Sequence, residues 1–356
     1  MVTAYQHPGK KWSMKTVSTA LYIAFSLATT SAFAASAAYD FTTLDIAVPG
    51  QPNLIAFPDD LNDKGEILAN IRTNNLSQAL IVQKPPTTNS KAKFSGTSLF
   101  SCTGIAFADT SASSINRSGE IAGSCADAPS APSKVFGFVR YQDGSHVLLD
   151  FPGADGTMAF GLSDDGKVVG QFYGPLRTDH GGSLSYRFHC FIWDKGEYRQ
   201  LDFPRDNTYV SCSSITKRGQ VLGEYITVNL NNEYLEHGFF IYENGNFSVP
   251  FPLSYLHIGG PWTYLSDMNN KGTVIGIRSA NDSTPDQLVL YDDDKFYDIA
   301  LPSGWLLVDV GGINNKGDFV GRYAIQVGID PFYGSPIYAH HGFLATPASP
   351  LLAAAK

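Results

Sequence analysis

Residues 312–323 read GINNKGDFVGRY, and near copies of this segment recur along the chain. The other five copies are DLNDKGEILANI (60–71), SINRSGEIAGSC (114–125), GLSDDGKVVGQF (161–172), SITKRGQVLGEY (214–225) and DMNNKGTVIGIR (267–278). We call this twelve-residue segment the repeat phrase and number its positions 1 to 12. The glycines at position 6 are separated by 54, 47, 53, 53 and 45 residues. A period of this size is typical of repeat proteins built from similar structural units.

Each repeat phrase predicts a β-hairpin. A hydrophobic residue is followed by polar turn formers, a Gly, and then an alternating strand such as VVGQF. Gly suits the turn position that needs a positive φ, and Asn or Asp ahead of it can bond its own backbone two residues later. A calcium loop in NDKGE or SDDGK is the alternative. It is disfavoured because each copy has too few carboxylates and no bidentate Glu follows at the required distance.

A second hairpin follows in each unit. Examples are HCFIWDKGEYRQLDFP (189–204), HGFFIYENGNFSVPFP (237–252) and FGFVRYQDGSHVLLDFPG (136–153), while QLVLYDDDKFYDIALP (287–302) keeps the shape. Two hairpins make four strands, which is one blade of a β-propeller.

The chain ends indicate how the ring closes. Only one strand, HHGFLATP (340–347), follows the last phrase, and YDFTTLDIAVPG (39–50) matches the missing outer strand. Such closure removes exposed strand edges. The sequence therefore predicts an all-β, six-bladed β-propeller over residues 35–347. Its N-terminal strand closes the last blade in a three-plus-one arrangement, and residues 348–356 form a flexible tail.

The first 34 residues have the pattern of a signal peptide. Lys10, Lys11 and Lys15 precede the apolar segment VSTALYIAFSLATT, and the small residues SAFA end at Ala34. Met14 is an alternative start, because MKTVSTALYIAF is by itself a complete signal sequence. The apolar segment is shorter than the roughly 20 residues that a membrane span requires. The sequence thus predicts a secreted or periplasmic protein with no membrane span after cleavage.

Charge and cysteine content fit export. Cleavage after residue 34 would remove three Lys and change the net charge from −8 to −11, which disfavours nucleic acid and anionic membranes as partners. Four cysteines in an oxidising compartment favour disulfides, with three connectivities open. The preferred pairs are Cys102 with Cys125 and Cys190 with Cys212. A zinc site is the alternative, but no CxxC spacing supports it, and no cofactor is expected.

The repeat phrase and the triplets HCF (189–191), HGF (237–239) and HGF (341–343) together resemble the bacterial extracellular HAF-repeat family. The resemblance extends over about residues 60–345. It weakens where QAL (78–80), FGF (136–138) and QLV (287–289) replace the triplet. It implies an exported repeat protein and implies no catalytic activity. The histidines His189, His237 and His341 fall in three separate blades, so we interpret them as strand residues with satisfied ring nitrogens rather than as ligands of one metal ion.

The links that differ most between units predict where a ligand binds. They are ADAPSAPSKV (126–135), GPLRTDHGGSLSYR (174–187), ITVNLNNEYLE (226–236) and IQVGIDPFYGSPIYA (325–339). These links and the blade-to-blade crossings are expected on one face, opposite the tight turns, which we call the long-loop face. Aromatic planes beside polar groups there can stack on a sugar ring. The candidate ligand-binding residues are Tyr209, Tyr255, His257, Trp262, Trp305, Asp179, His180 and Asp330. Packing of Trp262 and Trp305 between blades is the alternative interpretation.

Carboxylates near the predicted channel provide a second hypothesis. Asp59, Asp60, Asp267 and Asp309 fall at or near the innermost strands. Two of them at roughly 5 to 9 Å would suit a glycosidase, although such residues are more often solvated or bound to a counter-ion. The GxSxG and HExxH motifs are absent from the sequence. Three functions remain open: a binding module for a carbohydrate or another extracellular ligand, a glycan hydrolase or lyase, and a structural cell-surface protein.

Overall fold

A computed structural model describes residues 37–48, 51–73, 76–83, 93–94, 110–126, 134–174, 177–178, 184–185, 188–204, 208–228, 234–248, 262–279 and 286–348. The predicted signal peptide lies outside these ranges, as does the predicted tail apart from its first residue. Within these ranges, no helix is long and apolar enough to cross a membrane.

The described chain consists of β-strands and turns. It begins with β1 (Tyr39–Thr43) and β2 (Ile46–Val48). Blade 1 contains β3 (Gln51–Leu61), β4 (Glu66–Thr73), β5 (Leu76–Gln83) and β6 (Lys93–Phe94), and β2 pairs with β3. Blade 2 contains β7 (Thr110–Ile115), β8 (Ile121–Ala126), β9 (Val135–Arg140) and β10 (His146–Leu149). Blade 3 contains β11 (Gly156–Leu162) and β12 (Val168–Tyr173), then the separate pair β13 (Arg177–Thr178) and β14 (Leu184–Ser185), then β15 (Phe188–Asp194) and β16 (Glu197–Leu201).

The remaining strands form three further blades. Blade 4 contains β17 (Thr208–Ile215), β18 (Val221–Val228), β19 (Tyr234–Glu243) and β20 (Asn246–Ser248). Blade 5 contains β21 (Trp262–Met268), β22 (Val274–Ser279), β23 (Gln287–Asp292) and β24 (Lys295–Ile299). Blade 6 contains β25 (Leu306–Ile313), β26 (Phe319–Ile329) and β27 (Pro336–Pro347), with β1 as its outer strand. The predicted six-bladed propeller is confirmed.

The three-plus-one closure is also confirmed. β1 pairs antiparallel with β27, from Tyr39 opposite Pro347 to Thr43 opposite Phe343. The Phe41 ring lies 5.8 Å from the Trp305 ring and 5.5 Å from the Phe343 ring, both edge to face. Burial of these aromatic surfaces holds the two ends of the chain in one blade.

Each repeat phrase forms the tight turn between the first two strands of a blade. In blade 6 the Asn314 side-chain oxygen accepts hydrogen bonds from the backbone N–H groups of Lys316 (2.9 Å) and Asp318 (3.0 Å). Gly317, at position 6, has φ of +84°, which other residues adopt only with strain. The turn chemistry predicted from the sequence is therefore present.

The inner strand of every blade carries a β-bulge next to the turn. The register shifts around the residue that precedes the repeat phrase, which is Asp59, Ser113, Phe160, Ser213, Ser266 or Gly311. In blades 2 to 6, position 10 of the phrase is a Gly that lies against this bulge, whereas blade 1 has Ala69 there. A Cβ on Gly170 would lie 2.0 Å from the Met158 carbonyl oxygen, so the close approach of the two strands requires Gly.

The structure confirms one predicted disulfide. Cys190 of β15 is bonded to Cys212 of β17, and both residues are fully buried. Cys125 is buried in blade 2, whereas Cys102 lies outside the described residues, so that pair stays a prediction. The observed disulfide joins blade 3 to blade 4.

Two of the triplet histidines bond an aspartate. His189 Nδ1 lies 2.9 Å from Asp202 Oδ1, and His341 Nδ1 lies 3.0 Å from Asp45 Oδ2. Each imidazole also stacks on an aromatic ring, with centroids 5.2 Å apart. These two histidines therefore lie in strands with Nδ1 bonded to a carboxylate. The His237 side chain lies outside the described part of the structure.

We expect the disulfide to stabilise the junction between blades 3 and 4. Replacing both Cys190 and Cys212 by Ala should lower the free energy of unfolding by about 3 kcal/mol, since the bond closes a loop of 22 residues. Urea denaturation checks this value. Reduced wild-type protein should lose at least as much, since reduction also breaks the predicted Cys102–Cys125 bond, and an unchanged midpoint in the double variant would contradict the expectation.

Candidate functional site in the central channel

Side-chain amides of the repeat phrases close the tight-turn end of the channel. The amides of Asn62, Asn116 and Asn269 each donate to a backbone carbonyl of the next blade, at 2.9 to 3.1 Å. Asn314 donates to the Asn62 carbonyl at 3.3 Å and so joins blade 6 to blade 1. These residues all occupy position 3, so one side chain caps its own turn and also binds the neighbouring blade.

The side chains at position 4 of the repeat phrase narrow the tight-turn end of the channel further. Asn270 Nδ2 donates to Asp164 Oδ2 at 2.9 Å, which joins blade 5 to blade 3. Asn315 Nδ2 donates to Asp63 Oδ2 at 2.8 Å. The cavity left inside this ring is about 60 Å³. The tight-turn end therefore has room for water-sized molecules and not for a larger ligand.

The opposite part of the channel is wider. Its cavity has a volume of about 330 Å³, within the range of small-ligand sites. The lining of this cavity includes inner-strand residues as far as three positions before the repeat phrase, so the cavity lies toward the long-loop face. The polar residues that line it are Asp59, Asp60, Ser111, Ser113, Ser114, Ser211, Ser213, Tyr264, Ser266, Asp267 and Asp309. We call this cavity the channel mouth.

Asp60 and Asp267 form the neck between the two cavities, since both line each of them. Asp60 Oδ2 accepts a hydrogen bond from Ile115 N, and Asp267 Oδ2 accepts one from Ile313 N, both at 2.7 Å. Gly312, in blade 6, lies beside the Asp60 carboxylate: a Cβ on this residue would lie 1.7 Å from Oδ1. The two carboxylates thus flank one short segment of blade 6.

This arrangement makes ionisation of the pair unfavourable. Burial, and then the negative charge of Asp267, hold the pKa of Asp60 well above its usual range. Burial also raises the pKa of Asp267, although the Ser214 hydroxyl and the Ile313 N–H partly offset it by bonding the carboxylate. The two carboxyl groups of the neck therefore favour the protonated form. They also accept hydrogen bonds from the backbone of the neighbouring blades.

The two other predicted carboxylates lie higher in the mouth. Asp309 accepts from Arg322 Nε at 2.7 Å, and this bond raises the pKa of the guanidinium. Asp59 Oδ2 accepts from the Asn70 amide at 2.8 Å. All four aspartates predicted near the channel thus lie on its wall.

Tyr264 is an aromatic residue of the mouth that the sequence analysis did not select. It has 54% of its surface exposed and lies on the inner strand of blade 5. Partial burial and the charges of Glu224 and Asp309 raise its pKa, so its hydroxyl remains protonated at neutral pH. Tyr264 occupies the same position, three residues before the phrase, as Ser111, Ser211 and Asp309. Aligning the inner strands by the bulge would have revealed this position.

Two bulge serines of the mouth have unpaired hydroxyls. Ser213 and Ser266 line the cavity in blades 4 and 5, and neither Oγ has a hydrogen-bond partner among the described residues. A buried hydroxyl without a partner has lost its bonds to water. Both oxygens are enclosed by the protein, so these hydroxyls are buried polar groups of the cavity wall.

Three of the predicted ligand residues, Tyr209, Trp305 and Asp330, have described side chains. Trp305 packs against its own blade 6, with its ring stacked on Tyr323 at 3.4 Å between centroids. Asp330 Oδ1 accepts the backbone N–H groups of Phe332 (2.8 Å) and Tyr333 (2.9 Å), so it shapes a turn. Tyr209 is half-buried in β17. Trp262 begins β21, but its side chain is outside the described part, as are Asp179, His180, Tyr255 and His257 altogether.

The predicted link 325–339 forms a two-stranded ribbon. β26 and β27 stay paired beyond the body of blade 6, as far as Ile329 opposite Pro336. At its tip, Phe332 and Tyr333 have about nine-tenths of their surfaces exposed. The ribbon thus supplies exposed aromatic residues of the long-loop face that lie outside the channel lining.

Comparisons with known proteins show similarity to solved propellers only. No protein-family model matches the chain, and no curated protein matches it. The Trypanosoma rangeli sialidase in complex with 2,3-difluoro-KDN is 9% identical, with a TM-score of 0.46 over 88% of this chain and 57% of that one. The β-propeller domain of the Pyrococcus furiosus Trilobed protease is 11% identical, with a TM-score of 0.39 over 80% and 93% of the two chains.

A third structure is a family PL25 ulvan lyase bound to a GlcA–Rha3S saccharide. It is 9% identical, with a TM-score of 0.35 over 82% of each chain. The protein spans little more than half the length of the sialidase. At these identities no activity is transferred from the three proteins.

The neck should make stability depend on pH. The folded protein retains protons on Asp60 and Asp267 that the unfolded chain, with an Asp pKa of about 3.9, releases earlier. Stability from this pair should therefore fall as pH rises from about 4 through the raised pKa values. Asp267→Asn should reduce this loss and stabilise the protein near neutral pH by about 1 kcal/mol.

Thermal unfolding at several pH values between 4.5 and 7.5 tests this expectation. Asp155→Asn is the control, because Asp155 is exposed and its substitution removes one negative charge at a site away from the neck. Parallel pH profiles for Asp267→Asn and wild type would contradict it.

Proposed function

We propose that this protein is an exported binding module that holds a carbohydrate in the channel mouth. The observation that carries the proposal is the cavity of about 330 Å³, in which hydroxyls and carboxylates surround an exposed aromatic ring. Sugars present hydroxyls around an apolar ring face, and this lining matches both features. The tight-turn end leaves about 60 Å³, so a ligand enters from the long-loop face.

Two observations support export as part of this proposal, one from the sequence and one from the structure. The first 34 residues have the pattern of a signal peptide, and the buried Cys190–Cys212 disulfide suits an oxidising compartment. Membership of the HAF-repeat family belongs to the same proposal, supported by the repeat phrase and the HCF and HGF triplets.

The binding test is a glycan-array screen of the protein purified with its disulfides formed, followed by titration of the best ligand. Tyr264→Ala should weaken binding about tenfold, because it removes the aromatic face of the cavity. Tyr333→Ala is the matched control, since this tyrosine is exposed on the long-loop face but outside the cavity. Equal losses in both variants would contradict a site in the channel mouth.

Absence of any glycan ligand for the folded protein would overturn the carbohydrate proposal. The favoured function would then be binding of a protein ligand or a structural role at the cell surface. The exposed ribbon residues Phe332 and Tyr333 would be the first surface to examine in that case.

A glycan hydrolase or lyase is the second candidate function. The specific observation in its favour is the neck, where burial raises the pKa of two neighbouring carboxyl groups, and that of Asp60 well above its usual range. A carboxyl with a raised pKa can serve as a general acid when its partner ionises first. Against this function, Asp60 and Asp267 already accept hydrogen bonds from Ile115, Ser214 and Ile313.

Turnover separates the two candidates. If the protein is an enzyme, prolonged incubation with a bound oligosaccharide should release shorter products, and Asp60→Asn should abolish the release while binding remains. Recovery of intact oligosaccharide from the wild-type protein would support the binding module alone.

A further inference from the structure

Exposed apolar side chains are concentrated in the two-stranded ribbon of blade 6. Among the described residues, twelve large hydrophobic side chains are exposed, and six of them lie in this ribbon. The six are Val327, Ile329, Phe332, Tyr333, Ile337 and Tyr338. Single exposed apolar residues are ordinary on a protein surface, whereas a contiguous group marks contact with a partner or a membrane. The ribbon is therefore a candidate interaction surface outside the channel.

The apolar side chains cover both faces of the ribbon and its tip. Ile337 and Tyr338 are consecutive residues of β27, so their side chains point to opposite faces, and both are exposed. Ile329 lies opposite Pro336 and therefore on the same face as Tyr338. Phe332, at the tip, has 90% of its surface exposed. A flat protein surface would cover only one of these faces, whereas a fluid apolar phase surrounds all of them.

The backbone of the tip bonds largely to itself. Asp330 Oδ1 accepts two backbone N–H groups of the turn. Asp330 N donates to the Ser335 carbonyl at 2.8 Å, and Gly334 N donates to the Asp330 carbonyl at 2.9 Å. Pro331 and Pro336 have no N–H group to satisfy. Unpaired backbone groups are costly in an apolar phase, so this bonding suits a tip that leaves water.

The ribbon has almost no charge. Residues 325–339 contain one ionic side chain, Asp330, in a chain whose net charge is −8. An acidic protein is repelled by polyanions and by anionic lipids, and the ribbon has no Lys or Arg to offset that repulsion. Zwitterionic lipids avoid it. Their interface also suits Tyr, whose apolar ring and polar hydroxyl fit the headgroup level.

Strand pairing with a second copy of the chain is the alternative. β25 pairs with β26 only as far as Ala324, and β1 pairs with β27 only from Phe343, so the ribbon has open strand edges. Open edges can add a strand from another chain. However, the pairing of β26 has a bulge between Gln326 and Gly328, and Pro336 lies at the start of β27. Both features interrupt regular strand addition, which favours a lipid partner.

We propose that the ribbon inserts its tip into the surface of a bilayer of zwitterionic lipids and so holds the protein at a membrane. Phe332 and Tyr333 enter first, and the other exposed apolar side chains of the ribbon follow. The Asp330 carboxylate restricts insertion to the headgroup boundary, because a charge in the hydrocarbon layer is unfavourable. This contact is peripheral. It goes beyond the proposed carbohydrate binding, which uses the channel mouth.

Flotation with vesicles of pure phosphatidylcholine tests the proposal. These vesicles carry no sugar and no net charge, so the result does not depend on glycan binding. The wild-type protein should float with them. Phe332→Ser combined with Tyr333→Ser should weaken vesicle binding by about tenfold or more, because two aromatic rings no longer enter the lipid. Both residues protrude from the fold, so this variant should keep the wild-type unfolding midpoint.

A second double variant is the matched control. Val147→Ser combined with Leu148→Ser removes two exposed apolar side chains from β10 in blade 2, outside the ribbon. Vesicle binding by this variant should equal that of the wild type. Equal losses in the two double variants would indicate unspecific adhesion of apolar surface and overturn the proposal.

A fluorescent reporter locates the contact. After subtraction of the wild-type spectrum, the emission of the Phe332→Trp variant should shift to shorter wavelength when phosphatidylcholine vesicles are added. Lipids brominated on the acyl chains should quench it. Val147→Trp is the control and should show neither change. Identical behaviour of the two variants would overturn insertion of the tip.

The remaining outcomes also decide the proposal. A folded wild-type protein that stays apart from phosphatidylcholine vesicles, or that binds only vesicles containing phosphatidylglycerol, would overturn it. Sedimentation without lipid tests for a second copy as the partner. A dimer that the Phe332→Ser, Tyr333→Ser variant fails to form, without vesicle binding by the wild type, would assign the ribbon to self-association. Failure with vesicles would leave carbohydrate binding intact, and failure with glycans would leave membrane contact intact.

Discussion

The structure depends on one repeated interaction, the amide side chain at position 3 of the repeat phrase in blades 1, 2, 5 and 6. Its oxygen caps the turn within one blade, while its N–H group bonds the carbonyl of the next blade, as Asn314 does with Asn62. A blade cannot bury both of its faces alone, so its stability comes from its neighbours. A side chain that serves the turn and the junction together links local folding to ring closure. This link explains why the phrase recurs with so little variation.

Two junctions depart from this pattern, because position 3 is Ser163 in blade 3 and Thr216 in blade 4, and the disulfide is located at the first of them. Blade 3 has Gly161 at position 1 and Ser163 at position 3, and the Ser163 hydroxyl bonds within its own turn. Gln171 still donates to the Val210 carbonyl of blade 4 at 2.7 Å. The Cys190–Cys212 bond joins the same two blades. The covalent link therefore supports one of the two junctions whose turns lack the long amide side chain.

The ring of turns lies at one end of the channel, and the candidate binding residues lie toward the other end. At the tight-turn end, side chains bond one another across blades, and little space remains. Toward the long-loop face, the same six inner strands carry Ser, Asp, Tyr and Phe at corresponding positions. The bulges lie at the boundary, and such irregularities commonly redirect side chains next to binding sites. Residues at the wide end can therefore vary without loss of the ring, and these residues can determine ligand specificity.

The sequence by itself determined the number of blades, the turn chemistry and the closing strand, because these follow from local backbone preferences repeated at a regular spacing. It favoured the Cys190–Cys212 pair among three connectivities, and the structure decided it. It also placed Asp59, Asp60, Asp267 and Asp309 near the axis, since each lies close to a repeat phrase. Only the tertiary structure decided what these residues contact. It showed that Trp305 stacks on Tyr323, that Asp330 holds its own turn, and that Tyr264 faces the channel mouth. The physical reason is that the bulge sets the direction of each inner-strand side chain, and contacts across the channel join residues more than a hundred positions apart, as between Asp164 and Asn270.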